Sequence, residues 1–317
     1  VRKLIGLVFI LIAVSIAFFS YLTFWSKSKA DLSSPLPKAA ESILGEKSDS
    51  FFYSENLWLP QDVVTLPGVN LPQVTAEAVY VIDITGDKVL YAKNVHERRP
   101  IASTVKIMTA AIALERAKPI EVFTVSENAA KIGEDFMGAT AGERYTLSEL
   151  LYGLLLPSGN DAAEVLAEGV GGSRANFVKL MNEKASLLGL RDTKFVNPSG
   201  LDGDGEHYSS AYDLAVIAHY AWVNFPLFRQ VVGTYDIVLP YSDDHKYLYL
   251  QNQTNLLTSY PGVKGIKPGY TPDAGLCLVT LAERDEHQVL GVILGSTDRR
   301  GDMEMLLDYS FATLGVK

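Results

Sequence analysis

Apolar and polar positions fall into several rhythms along the chain, and each rhythm predicts an element. Leu4 to Trp25 form 22 consecutive positions without a charge. A run of that length can cross a bilayer as a helix, and it exceeds the apolar core of a cleaved signal peptide. From residue 27 to about 72 the periodicity is lost among Ser, Lys and the prolines 35, 37, 60, 67 and 72, which predicts a tether. Ala78–Asp83 and Val89–Ala92, set around Thr85-Gly86-Asp87-Lys88, predict a hairpin. The run Ile107–Leu114 has no helix breaker and predicts a helix starting at or just before Ser103.

Helical rhythm dominates the middle of the chain. Thr146-Leu147-Ser148-Glu149 has capping-box spacing ahead of Leu150–Leu156. Pro157-Ser158-Gly159-Asn160 breaks that helix, and Asp161 is expected to cap the next. Ser173–Leu188 places Phe177, Leu180, Met181, Ala185 and Leu188 on one face, with Gly189 as its stop. Strand patterns then return at Leu276–Ala282 and Gln288–Leu294, joined by a polar turn at Arg284-Asp285-Glu286-His287, before a terminal helix over Met303–Leu314. Strands at both ends with helices between predict an α/β or α+β fold whose sheet is assembled from distant segments. The organisation read is an anchor or signal at 1–26, a tether at 27–72 and one domain at 73–317.

Composition narrows the chemistry. The chain has 317 residues, 48% of them hydrophobic, and a net charge of −9. Its body is more acidic still once Arg2, Lys3, Lys27 and Lys29 are set aside, so nucleic acid is not an expected partner. Cys277 is the single cysteine, which excludes an intramolecular disulfide framework and a multi-cysteine zinc site. The five histidines include no His-Glu-x-x-His pair, and neither a metal nor a cofactor is called for.

Three short segments carry candidate chemistry. In Ser103-Thr104-Val105-Lys106 the two ends share a helix face, so an amine can take the proton of a hydroxyl nucleophile at a helix N-terminus. Taken alone, the tetrad also fits a capping Ser followed by an exposed Lys. Ser158-Gly159-Asn160 supplies a hydroxyl and an amide in a loop between two apolar helices, suited to a proton relay and to holding a substrate amide. Lys267-Pro268-Gly269-Tyr270-Thr271 leads into the Leu276 strand. A cation there would keep the Lys106 amine neutral by like-charge repulsion and attract an anionic substrate. Gly269 would let a peptide approach the strand edge.

Together the three segments follow the Ser-x-x-Lys, Ser-x-Asn, Lys-Thr-Gly series of the penicillin-interacting serine enzymes. Over roughly residues 70–317 the chain resembles the serine D-alanyl-D-alanine carboxypeptidases, the low-molecular-mass penicillin-binding proteins. Phe195-Val196-Asn197-Pro198-Ser199-Gly200-Leu201-Asp202, His207 to Ala215, Asn255-Leu256-Leu257 and Asp298-Arg299-Arg300 carry the resemblance further. It implies the β-lactamase/penicillin-binding-protein fold, a mainly antiparallel sheet flanked by helices plus a helical lobe. It also implies a Ser103 nucleophile with Lys106 as general base, and a Ser158 proton relay. Asn160 would position the substrate amide and Lys267 would support the site electrostatically. Backbone N–H groups of Ser103 and Tyr270 would form the oxyanion hole, and Gly269, Thr271 and Arg299 would bind substrate. The implied partners are a peptidoglycan pentapeptide or cross-linked peptide, β-lactam antibiotics as inhibitors, and the cell membrane through the N-terminal helix. The catalytic domain would then lie on the extracytoplasmic side.

One departure bears on specificity. Pro268 stands where the series has Thr, removing a hydroxyl and a backbone N–H. This weakens the expected preference for a free C-terminal carboxylate and brings forward cross-link cleavage by a D,D-endopeptidase, or a weakly active protein that binds cell-wall peptides. A β-lactamase would need a dedicated deacylating Glu; Glu164 and Glu168 lie after the second motif without the expected surroundings.

Overall fold

The computed structural model describes residues 58–60 and 71–316. The apolar segment and most of the expected tether lie outside the described residues. Among the described residues no helix is long and apolar enough to cross a membrane.

Strands β1 (Ala78–Asp83) and β2 (Lys88–Lys93) form the expected hairpin. A short 3-10 turn at Ala102–Val105 runs into α1 (Lys106–Arg116), so the helix begins three residues after Ser103. Strands β3 (Val122–Thr124) and β4 (Arg144–Thr146) pair as a small ribbon. The helices α2 (Leu147–Leu155), α3 (Asn160–Gly171), α4 (Arg174–Leu187), α5 (Ala211–Asn224) and α6 (Pro226–Val232) build a lobe. A second ribbon, β5 (Asp236–Leu239) with β6 (Leu248–Gln251), and a short α7 (Leu256–Ser259) lead to β7 (Val263–Thr271), β8 (Gly275–Arg284) and β9 (His287–Ser296). Helix α8 (Arg299–Leu314) closes the fold.

The main sheet has the order β2-β1-β9-β8-β7 and is antiparallel throughout. β1 pairs with β9, Tyr80 opposite Val292, so the first hairpin is completed by the last strand. Every residue of β1 is buried, which requires cover on both faces. Tyr80, Ile82, Val279, Leu290 and Val292 turn toward the helical lobe. Val79, Val81, Leu278, Val289 and Ile293 turn toward α8, meeting Met303, Leu306, Leu307 and Phe311. The sheet is thus an α/β layer between helices.

Helix α1 is buried along all its length except Arg116, with Lys106, Thr109 and Glu115 the polar side chains among its apolar ones. Burying side chains such as Ile107, Met108 and Ile112 stabilises the lobe by about 1.5–3 kcal/mol each. The predicted capping box is formed: Thr146 Oγ1 accepts from the Glu149 N–H, and the Glu149 carboxylate accepts from the Thr146 N–H. Part of the expected tether is docked. Trp58 stacks on His219 of α5 at 3.9 Å, and the Tyr212 hydroxyl donates to the Pro60 carbonyl at 2.9 Å.

Candidate active site

The Ser103 turn is held from three sides. Ala102 has φ +47°, a left-handed conformation that costs a residue with a Cβ about 1–3 kcal/mol. Two glycines from distant segments press on it. A Cβ at Gly200 would overlap the Ala102 carbonyl, and one at Gly269 would lie 3.0 Å from the Ser103 amide nitrogen. The Thr104 hydroxyl donates to the Ile101 carbonyl at 2.7 Å and fixes the turn internally. The tight turn explains why Ser103 precedes α1 instead of lying within it.

Lys106 is wholly buried, and three oxygens converge on its Nζ: Ser103 Oγ at 2.7 Å, Asn160 Oδ1 at 2.8 Å and the Ser199 carbonyl at 2.6 Å. The last two can only accept. A neutral amine has two N–H donors and one lone pair. With the two donors spent on Asn160 and Ser199, the lone pair faces the Ser103 hydroxyl. Burial drives the Lys106 pKa well below that of an exposed lysine, and the charge of Lys267 pushes it the same way.

Ser158 and Asn160 flank the junction of α2 and α3. Ser158 is buried with φ +67°, and its hydroxyl has no hydrogen-bond partner among the described residues. Asn160 is oriented by its own amide: Nδ2 donates to the Gly133 carbonyl at 3.1 Å, while the backbone N–H donates to the Asp135 carbonyl at 2.8 Å. Asp161 does not cap α3 from the N-cap position, which Gly159 occupies. Its carboxylate accepts from the Ala162 N–H in the first turn and also from the backbone N–H groups of Met137, Gly138 and Ala139, all at 2.8–2.9 Å, and so ties that loop to the helix.

The third segment occupies the edge strand β7. Lys267 is fully buried, its Nζ has no hydrogen-bond partner among the described residues, and burial lowers its pKa to about 7. Asp135 opposes that shift and Arg299 adds to it. Arg299, partly buried at the start of α8, donates from its guanidinium to the Gly269 carbonyl at 3.1 Å. Thr271 is turned away: its hydroxyl accepts from the Ala274 N–H at 3.1 Å, inside the β7–β8 turn. It does not line the cleft, so it is not placed to replace the hydroxyl missing at Pro268.

A cleft of about 270 Å³ opens over these groups. Ser103, Ser158, Pro268, Gly269, Tyr270 and Arg299 line it, while Lys106, Asn160 and Lys267 lie beneath. Its remaining lining, Glu134, Asp135 and Gln253, escaped the sequence reading. Those residues carry no motif; the Asn160 N–H holds the Asp135 carbonyl at 2.8 Å, Asp161 clamps the loop that follows, and Gln253 bonds to the Leu156 and Pro157 carbonyls at 3.1 and 3.0 Å. The Ser199 carbonyl was likewise hidden, since a backbone acceptor leaves no side-chain signature. Glu164 lies outside the cleft, buried against Arg174 at 3.1 Å. Cys277 is a buried residue of β8, and its thiol is pushed up to about 11 by that burial. Among the described residues no group of three His, Cys, Asp or Glu side chains is placed to hold a metal ion.

Residues 66–298 match the D-alanyl-D-alanine carboxypeptidase family. Over 245 residues the chain is 38% identical to the D-alanyl-D-alanine carboxypeptidase DacF of Bacillus subtilis, covering 75% of this chain and 62% of that one. It is 36% identical to DacB2 of Mycobacterium tuberculosis, another D-alanyl-D-alanine carboxypeptidase, over 80% of this chain and 89% of that one. The crystal structure of the Streptomyces K15 DD-transpeptidase superposes with a TM-score of 0.73 at 32% identity, covering 77% of this chain and all of that one.

Proposed function

Since the chain belongs to the D-alanyl-D-alanine carboxypeptidase family, we propose that it trims peptidoglycan stem peptides through a Ser103 acyl-enzyme. One observation carries the reading: Lys106 Nζ lies 2.7 Å from Ser103 Oγ while its other two neighbours are acceptors. That set of contacts makes a neutral lysine a base aimed at one hydroxyl.

The proposed reaction uses these groups in turn. Ser103 Oγ attacks the carbonyl carbon between two D-alanines, and its proton passes to the Lys106 amine. The oxyanion lies against the backbone N–H groups of Ser103 and Tyr270, each such donor contributing about 10²–10³ in rate. Ser158, its hydroxyl uncommitted inside the cleft, carries a proton to the leaving amine as the C–N bond breaks. Asn160 both holds Lys106 and borders the substrate amide. Lys267 and Arg299 supply positive charge for a substrate carboxylate. Water then attacks the ester and frees Ser103. Glu164, paired with Arg174 outside the cleft, is not placed to speed that step as a β-lactamase requires.

Pro268 favours a second reading, cleavage of cross-links by the same acyl-enzyme, because position 268 offers a carboxylate neither a hydroxyl nor an N–H. The membrane association we propose rests on the uncharged stretch from Leu4 to Trp25. It would hold the domain by a single span on the extracytoplasmic side, where peptidoglycan lies. Basic residues flank both ends of that stretch, so charge alone does not set its orientation.

Fluorescent penicillin tests the nucleophile. It is expected to label the protein covalently, and Ser103→Ala is expected to abolish the label. Labelling that persists in the alanine variant overturns the assignment. Release of D-alanine from a free pentapeptide, set against cleavage of a cross-linked dimer, decides between the two readings.

A further inference from the structure

A row of outward side chains leaves the cleft along β6. From residue 247 to 253 burial alternates without a break: Tyr247, Tyr249, Gln251 and Gln253 are exposed, while Leu248, Leu250 and Asn252 are buried. Gln253 is also part of the cleft lining. Four outward positions at alternate residues of an extended chain span about 20 Å. The row therefore starts at the reaction site and ends well outside it.

The chemistry of this face is specific. Tyr247 and Tyr249 are 57% and 53% exposed, and Tyr235 beside them is 43% exposed. The Asp236 carboxylate lies near the Tyr249 hydroxyl, and Gln251 Nε2 donates to the Tyr235 hydroxyl at 2.8 Å. Val238 stands directly opposite Tyr249 across the ribbon. Aromatic faces thus alternate with amide and carboxylate groups, and aliphatic surface is sparse. The ribbon is anchored beneath: Asn252 Nδ2 donates to the Val232 and Thr234 carbonyls at 3.1 and 2.9 Å. A ring face carries partial negative charge and attracts the polarised C–H groups of a sugar, while Tyr, Asp and Gln satisfy its hydroxyl and amide groups. Tyr rings also present wide, stiff contact area at low entropic cost.

We propose that the outer face of the β5–β6 ribbon, centred on Tyr247 and Tyr249, is a binding platform for an amino-sugar polymer, the glycan strand that carries the stem peptide. This rests on the peptidase reading above. Continuity favours this occupant: a peptide whose scissile end lies at Ser103 is covalently tied to a glycan, and the outward row that carries the two tyrosines starts at the cleft wall with Gln253. The enzyme would thereby favour peptides still attached to a polymer over free ones.

The test uses the full chain, an N-acetylglucosamine hexamer and peptide-free glycan strands. Tyr247→Ala/Tyr249→Ala is expected to weaken binding of both at least tenfold, and Tyr247→Phe/Tyr249→Phe to retain it within threefold. KM for a glycan-linked pentapeptide should rise about tenfold in the alanine pair, with KM and kcat for the free pentapeptide and penicillin labelling unchanged. Unaltered glycan binding, or equal losses on linked and free peptides, overturns the proposal. So does a loss confined to vesicle binding or to self-association, which would assign the face to a membrane or a second copy. Tyrosine-dependent glycan binding in a protein that cuts no peptide would leave the platform standing and the peptidase reading refuted.

Discussion

Two lysines are buried under one cleft, and their surroundings differ in kind. Lys106, at the first residue of α1, is met by three oxygens within 2.8 Å. Lys267, on the edge strand β7, has no hydrogen-bond partner among the described residues. Burial lowers the pKa of both, and the charge of Lys267 lowers Lys106 further. Burial, adjusted by neighbouring charge, therefore dominates protonation, while the fixed acceptors set direction. In the proposed reaction the first lysine takes a proton from one atom. The second is a charge whose donors remain for whatever enters the cleft.

The largest effects separate the two roles. Lys106→Ala is expected to slow acylation by penicillin about 10³-fold, within the range for a general base. Lys267→Ala should lose about 10–100-fold, the worth of hydrogen bonds to a charged group, mainly through weaker binding of a free-carboxylate peptide. Stopped-flow acylation and KM against kcat measure both. Equal losses, both in the chemical step, would erase the distinction.

Acidity offers a second way to break it. With a pKa of about 7, Lys267 is a cation below that pH and neutral above it. KM for a peptide with a free C-terminal carboxylate should therefore rise as pH passes above 7, by up to about tenfold per unit. Lys267→Met should flatten that rise. A KM independent of pH in the parent enzyme would show that Lys267 does not meet the carboxylate.

Stability reads the same contrast in the absence of substrate. The folded-state pKa of Lys267, about 7, lies below its ordinary 10.5, so between those values the unfolded chain binds the extra proton. The penalty of burying Lys267 is full below pH 7 and fades as pH rises toward 10.5. Lys267→Met is expected to stabilise the fold by about 1–4 kcal/mol at pH 6.5, the range for apolar replacement of buried charge, and by less at pH 9.5. Lys106→Met should show no such gain. It strips the donor from Asn160 Oδ1 and the Ser199 carbonyl, each costing about 1–3 kcal/mol when left unpaired. Denaturant unfolding at the two pH values checks both variants.

The contrast also marks what the chain shows before it folds. The hairpin β1–β2, the capping box of α2 and the αL stop at Gly189 were legible because each is local. Ser103, Lys106, Ser158 and Asn160 stood out because two short motifs carry them. The acceptors that aim Lys106 did not. Ser199 acts through a backbone carbonyl, and its loop reaches the site only because Gly200 tolerates contact with Ala102. Asp161 looked like a helix cap; besides serving the first-turn Ala162 N–H it clamps residues 137–139, since a carboxylate serves any nearby N–H groups. Trp58 and Pro60 read as tether; their docking depends on His219 and Tyr212, more than 150 residues away.

Pro268 tests the Lys267 side most narrowly, and its effect is the smallest. On an edge strand, proline is tolerated where its nitrogen faces away from the neighbouring strand, so the nitrogen of Pro268 points to the open edge, away from β8. Amide direction repeats every second residue, which turns the Tyr270 N–H to that same edge, as an oxyanion donor requires. Position 268 therefore withholds a donor beside the one assigned to the proposed oxyanion hole. Pro268→Thr restores a hydroxyl and an N–H without moving Lys267 or Tyr270. One neutral hydrogen bond contributes about 0.5–1.5 kcal/mol, so D-alanine release from a free pentapeptide should rise about 2–10-fold, while penicillin labelling of Ser103 stays complete and cleavage of a cross-linked dimer does not increase. If release stays flat in a variant that unfolds at the same denaturant concentration, Arg299 and Lys267 already suffice for the carboxylate, and the endopeptidase reading loses its main support.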